Sequence, residues 1–193
     1  MSNKIENARE KLMKTGKQCL LEGKDSDFSV KEVAAQCGMA TGTFYQYFPS
    51  KEALIFNILQ KDWEELLTSF DEIKEEEISL HEKINFVFNG LAGFETNYRN
   101  SPAVALALRK EYAEIRRDNL QRMYRVLEKL VRIEVSRGHL VLCGDAGRTA
   151  LLMTQLFLAV GRNTDMPYDQ VAECLRFHDN NPQAIFEAEG MDA

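Results

Sequence analysis

From Ser29 to Leu54 the chain reads SVKEVAAQCGMATGTFYQYFPSKEAL, and this stretch constrains the fold more than any other. Its spacing predicts two short helices, a tight turn between them, and the start of a longer third helix. Ser29 stands three residues before Glu32, the spacing of a capping box. Val30, Val33 and Ala34 give the first helix an apolar face, and Cys37-Gly38 supplies the turn. Thr41 to Phe48 forms the second helix, with Phe44 and Phe48 at i,i+4 turned inward. Thr43, Tyr45, Gln46 and Tyr47 are left on its other faces. Hydroxyl, phenol and amide groups are the donors and acceptors that meet phosphates and base edges. Ser50 caps the third helix and Lys51 sits in its first turn, where a cation opposes the helix dipole. An anion nearby would account for it.

Helical spacing continues through the rest of the chain. A first helix is expected from about Asn3 to Glu22, with Ile5, Ala8, Leu12, Thr15 and Cys19 on one face and Gly23 as its stop. The helix that starts after Ser50 should run to about Ile73, with Ile55, Leu59, Trp63, Leu66, Leu67 and Phe70 as its stripe. Near Ser79 a second region begins. Leu80, Ile84, Val87, Phe88, Leu91, Phe94 and Tyr98 mark one helix, broken between Asn97 and Pro102. Ala103 to Leu108 is a short apolar piece. Tyr112, Ile115, Leu120, Met123, Tyr124, Leu127, Val131 and Val135 mark a long helix ending at Gly138. Asp145 is placed to cap the helix that holds the apolar run Ala150 to Val160. Tyr168 to His178 gives a last helix, and the chain from Asn180 reads as weakly ordered. With no alternating strand pattern, the fold class is all-α.

The Ala150–Val160 helix is apolar nearly all round, so it must be covered on several sides. One chain of 193 residues covers it only in part. A second copy in an isologous two-fold interface would complete the cover. The same run is too short and too polar, at Thr154 and Gln155, to cross a bilayer. The polar N-terminus MSNKIENAREK is unlike a secretory signal, so a cytoplasmic location is expected. Cys19, Cys37, Cys143 and Cys174 show no C-x-x-C pair, which suits buried, reduced thiols. Cys174 and His178 at i,i+4 are two ligands, short of a metal site, and His81 and His139 stand alone. No nucleophile elbow, Walker loop or dinucleotide fingerprint is present, so no catalytic residue and no cofactor is assigned.

The residues quoted above carry a resemblance. Ser29-Val30, Val33-Ala34, Gly38-Met39 and then G-T-F-Y-x-Y-F-x-S-K-E-x-L from Gly42 to Leu54 closely resemble the DNA-binding domain of the TetR family of bacterial transcriptional regulators. Ala40 departs from the Ser or Thr that the family often has there, which removes a cap or a phosphate contact or hands it to Thr41. Cys37 replaces a small alanine. The resemblance implies a helix-turn-helix domain over 1–50 and a helical effector-binding and dimerisation domain over 51–193, joined by the helix from about 50 to 73. It implies a homodimer paired through its last two helices, a palindromic double-stranded DNA operator, and an unknown small-molecule effector. Repression is the default mode. A DNA-binding architectural or division-control protein without a ligand response is the alternative.

On this reading Thr43, Tyr45 and Gln46 enter the major groove, with Gln46 the base reader. Ser29, Tyr47 and Lys51 clamp phosphates, and Thr41 with the Gly42 backbone lies at the helix entry. Candidate pocket residues are Trp63, Phe88, Phe94, Tyr98, Tyr112, Arg116, Met123, Tyr124, Met153 and Phe157, each with ordinary core packing as the competing reading. Arg109, Arg116 and Arg117 suit an anionic effector or a solvated basic face equally.

Charge agrees in sign. The net charge of −6 divides into +2 over residues 1–61, −7 over 62–108, +4 over 109–132 and −5 over 133–193. An acidic body with its basic end at the reading motif orients its approach to a polyanion.

Overall fold

The computed structural model describes residues 2–21, 29–98, 109–140 and 144–161, and of residues 2–6, 111 and 158–161 the backbone alone. Among these residues there are seven α-helices and no strand: α1 (Ser2–Leu21), α2 (Val30–Gln36), α3 (Thr41–Tyr47), α4 (Lys51–Ile73), α5 (Leu80–Tyr98), α6 (Ala113–Ser136) and α7 (Ala146–Gly161), with a 3-10 turn over Lys110–Tyr112. The all-α expectation is met. The Ala103–Leu108 piece, the Tyr168–His178 helix and Cys143, Cys174 and His178 lie outside the described residues. Among the described residues no helix is long and apolar enough to cross a membrane.

Helix ends fall where the sequence puts caps. The Ser50 hydroxyl accepts from Ala53 N at 3.1 Å, and Asp145 Oδ1 accepts from Arg148 N at 2.9 Å. Ser79 and Glu82 complete a reciprocal capping box at the head of α5, with Glu82 N donating to Ser79 Oγ at 3.2 Å and Ser79 N to Glu82 Oε2 at 2.9 Å. Gly38 and Gly138 end α2 and α6 at φ +69° and +75°, the left-handed region that admits glycine without strain.

Contacts divide the chain into two compact units, one of residues 1–65 with 96–117, the other of residues 66–95 with 118–193. In the first, Leu12, Met13, Val33, Ala34, Phe44, Phe48, Leu54, Ile55, Ile58 and Trp63 form the interior. The buried face of α1 is not the expected one. Leu12, Met13, Gly16 and Leu20 are inside, whereas Ala8, Thr15 and Cys19 are half-buried. Gly16 explains the rotation: a Cβ there would lie 2.9 Å from Leu54 Cδ2 and 3.1 Å from Ile58 Cδ1, so α1 meets α4 at its smallest residue.

The second unit buries Leu67, Phe70, Ile84, Val87, Phe88, Met123, Leu127, Leu130, Val131, Ala150, Met153 and Phe157. Ile115 and Val135, expected inside, are exposed. In place of Val135 its neighbour Glu134 is fully buried, because Lys83, also fully buried, donates to Glu134 Oε1 at 2.7 Å. Arg137 Nη1 lies 3.3 Å from the same oxygen, His139 Nδ1 lies 2.9 Å from Oε2, and Lys83 also donates to the Lys74 carbonyl at 3.2 Å. Burial pushes the Glu134 carboxyl up, but the hydrogen bonds and charges of Lys83 and His139 outweigh it and hold it below its usual range.

Removing one member of a buried pair strands the other charge and costs about 3–5 kcal/mol. Glu134→Leu should therefore destabilise by that order in urea denaturation, and Lys83→Met/Glu134→Leu should recover most of the loss. Since the folded carboxyl binds its proton more weakly than the unfolded one, its contribution is present above the unfolded pKa and lost as pH falls below it. Wild-type stability should drop through the acidic carboxylate range, and the double variant should lack that component.

Candidate nucleic-acid interface

Three short elements build the site. The Ser29 hydroxyl caps α2 by accepting from Glu32 N at 3.1 Å. Helix α2 ends at Cys37, whose buried thiol lies 3.3 Å from Thr15 Oγ1 and whose carbonyl accepts from Lys11 Nζ at 3.0 Å. Cys37 thus ties the end of α2 to α1 through both its thiol and its carbonyl. The backbone then turns through Gly38, with Met39 N donating to Ala34 O at 2.9 Å, and α3 begins.

Helix α3 is seven residues long, and its sides differ completely. Phe44 is fully buried and Phe48, its C-cap, is 1% exposed; their ring centroids are 5.8 Å apart. Tyr45 is 53% exposed and meets Phe44 edge-on, with ring centroids 5.3 Å apart. Thr41, Gly42 and Gln46 are exposed, and Thr43 and Tyr47 are half-buried. Lys51 is half-buried in the first turn of α4, beside Glu52. Backbone and Ser50 hydrogen bonds, with Arg109 and Lys51 adding to them, hold the Glu52 carboxyl below its usual range. The eight residues expected to touch DNA therefore all lie on α3 or at the starts of α2 and α4.

Ala40 is the N-cap of α3 and gives it no side-chain cap. Sequence reasoning missed Arg9 altogether. Its guanidinium lies 5.2 Å from the Phe48 ring centroid, and Nη2 donates to Asn57 Oδ1, so α1 clamps the end of α3 from outside. Nothing local marks this role, because Phe48 and Asn57 lie far along the chain from Arg9.

The ten candidate pocket residues are shared between the units. Trp63, Tyr98, Tyr112 and Arg116 belong to the first, and Phe88, Phe94, Met123, Tyr124, Met153 and Phe157 to the second. Several have ordinary core partners. Phe88 meets Phe157 edge-on at 5.9 Å, Tyr112 stacks on Phe56 at 4.0 Å, and the Tyr98 hydroxyl donates to Asp62. Among the described residues no group of three or more His, Cys, Asp or Glu is placed to hold a metal.

A capped helix, a glycine turn, and a second helix anchored by two phenylalanines and polar on its outer side define a helix-turn-helix protein. Residues 20–58 match the family model for bacterial regulatory proteins, tetR family. The uncharacterized HTH-type transcriptional regulator YuxN of Bacillus subtilis (strain 168) is 44% identical over 46 residues, which are 24% of this chain and 16% of that relative. The match thus spans less than a fifth of the relative's length. Two solved structures share the fold over most of their length. A transcriptional regulator from Cytophaga hutchinsonii ATCC 33406 has a TM-score of 0.72 at 17% identity, covering 82% of each chain. The fatty acid degradation regulator FadR from Bacillus halodurans has a TM-score of 0.59 at 18% identity, covering 80% of this chain and 82% of that one. Residues 20–58 thus carry a helix-turn-helix that matches the tetR-family model, and the chain shares the fold of these solved regulators.

Gly42 separates folding from binding. A Cβ there would meet nothing within 4 Å, and its φ is not positive, so the fold does not require glycine. Gly42→Ala should leave the melting temperature unchanged or raise it, since alanine gains up to about 1 kcal/mol in a helix. If the Gly42 backbone lies close to DNA, as the resemblance implies, the same variant should weaken duplex binding in fluorescence anisotropy, because the added methyl would stand in that approach.

Proposed function

We propose that this chain is a cytoplasmic transcriptional repressor that binds a palindromic double-stranded DNA operator as a homodimer and leaves it when a small molecule binds. The observation that carries the reading is the division of α3. Its apolar residues are spent on the interior, and Thr41, Gly42, Tyr45 and Gln46 are exposed together. In this arrangement α3 enters the major groove. The Gln46 amide reads a base edge, Tyr45 and Thr43 flank it, and Ser29, Tyr47 and Lys51 hold phosphates on either side. Residues 1–50 act as the reading domain and 51–193 as the domain for effector and dimer. No chemistry is assigned to either.

Two-fold symmetry supplies the spacing. Reading helices about 34 Å apart meet successive major grooves on one face of B-DNA. On α7, Leu151 is 50% exposed and Leu152 71% exposed, the kind of apolar surface that a second copy covers. Leu152→Glu should shift the protein toward monomer in sedimentation and weaken operator binding in parallel.

The effector would sit among some of the ten aromatic, methionine and arginine residues named above, with binding favouring a conformation that spaces the two reading helices wrongly. The family's solved structures support the general plan and leave the ligand to be found by experiment.

Selecting bound genomic fragments with the purified full chain would yield the operator. Against it, Tyr47→Ala and Lys51→Ala should each weaken binding with no loss of fold by circular dichroism. Lys51→Ala should also reduce the slope of log K against log salt by about 0.9, the loss of one phosphate contact. Gln46→Ala should relax preference at one base pair, worth about 1–3 kcal/mol of discrimination. Wild-type affinity in both Tyr47→Ala and Lys51→Ala would overturn this docking.

A further inference from the structure

The unit that carries the reading helix owes its positive charge to a segment far from it in sequence. Residues 1–65 hold nine Lys and Arg against ten Asp and Glu, whereas residues 96–117 hold five against two. Without the second segment the reading unit would be net negative and would meet a polyanion unaided by its own field.

Structure puts part of that segment next to the first turns of α4. Tyr112 lies flat on Phe56, with centroids 4.0 Å apart and planes 17° apart. The 3-10 turn that presents Tyr112 opens at Arg109, whose carbonyl accepts from Tyr112 N at 3.2 Å. Phe56 stands one helical turn beyond Glu52 on the same face of α4. Arg109 is near enough to Glu52 to act on its charge, and Glu52 directly follows Lys51. Arg109 and Lys110 are both exposed. The aromatic stack therefore holds the 3-10 turn beside the start of α4, with Arg109 close to Glu52 and Lys110 next to it in the chain.

We propose that Arg109 and Lys110 form a second phosphate-binding site, which extends the DNA footprint from the helix-turn-helix onto the flanking backbone beside the first turn of α4. The occupant is duplex phosphate, chosen by charge complementarity and by continuity with Lys51. The site rests on the reading of α3 as a groove-binding helix. It carries no sequence information of its own, so it adds affinity and salt dependence without changing base preference.

The test is a salt titration of the selected operator with the full chain. Arg109→Ala/Lys110→Ala should lower the slope of log K against log salt by about 1–2, since each phosphate contact contributes about 0.9. Base preference should stay unchanged. Arg109→Lys/Lys110→Arg, which keeps both charges, should restore the wild-type slope. Glu52→Gln should leave that slope intact, since the contact is made by the cations themselves. A wild-type slope in the double alanine variant, alongside a reduced one in Lys51→Ala, overturns the site and leaves the α3 reading standing. A slope lost equally in Glu52→Gln also overturns it, because Arg109 would then act only by holding the α4 cap. Wild-type binding by Lys51→Ala and Tyr47→Ala sinks the α3 reading, and this site falls with it.

Discussion

Phe44 and Phe48 are what keep α3 in existence. Seven residues make too short a helix to persist in water on backbone hydrogen bonds, and Ala40 gives this one no side-chain cap. Burying an aromatic side chain contributes about 1.5–3 kcal/mol, so two fully enclosed rings supply the stability that the helix itself lacks. Their positions also fix its rotation. With 44 and 48 inside, 45 and 46 are outside by helical geometry, and the polar face follows from the apolar one. Arg9 over the Phe48 ring and the Cys37 tie to α1 hold the surround in which those rings sit. Thr41, Gly42, Tyr45 and Gln46 are thereby left exposed on the outer side of α3.

How much of this could be read beforehand depended on whether a signal was local. The caps at Ser29, Ser50 and Asp145, the left-handed stops at Gly38 and Gly138, and the inward pair Phe44–Phe48 are determined within a turn or two of sequence. All were legible. The face of α1 was not, because hydropathy counts Gly16 as featureless whereas packing uses its missing Cβ against Leu54. Glu134 carries no inward signal for a related reason. A charged residue beside Val135 reads as solvent-facing until a lysine fifty-one residues earlier is brought to 2.7 Å. Arg9, with partners on α3 and α4, belongs to the same class. The candidate pocket residues had the weakest basis: aromatic and methionine side chains mark interiors generally, and spacing along a helix does not distinguish a wall from a core.

Polar ties in the first unit do something its apolar interior cannot. Hydrophobic burial is non-directional, so a helix with a glycine at its contact gains nearly as much area after a small slide as before it. Asp62 removes that freedom. Lys17 of α1 lies 2.7 Å from its Oδ2, and the Tyr98 hydroxyl of α5 donates to the same carboxylate. Burial, then the bond to Asp62, keeps the Tyr98 phenol protonated well beyond the physiological range, so this donor does not switch with pH. Three helices are thereby held in register at one carboxylate on α4. The same α4 carries Lys51 at its start, Asn57 bonded to Arg9, and Phe56 beneath Tyr112. Because the ties reach α4 from α1, from α5 and from the 109–112 turn, a displacement of α1 or of that turn cannot leave α4 indifferent, and a displacement of α4 moves the ground on which α3 is anchored. Precision in the placement of α3 is a property of the whole first unit, including the 109–112 turn far from it in the sequence.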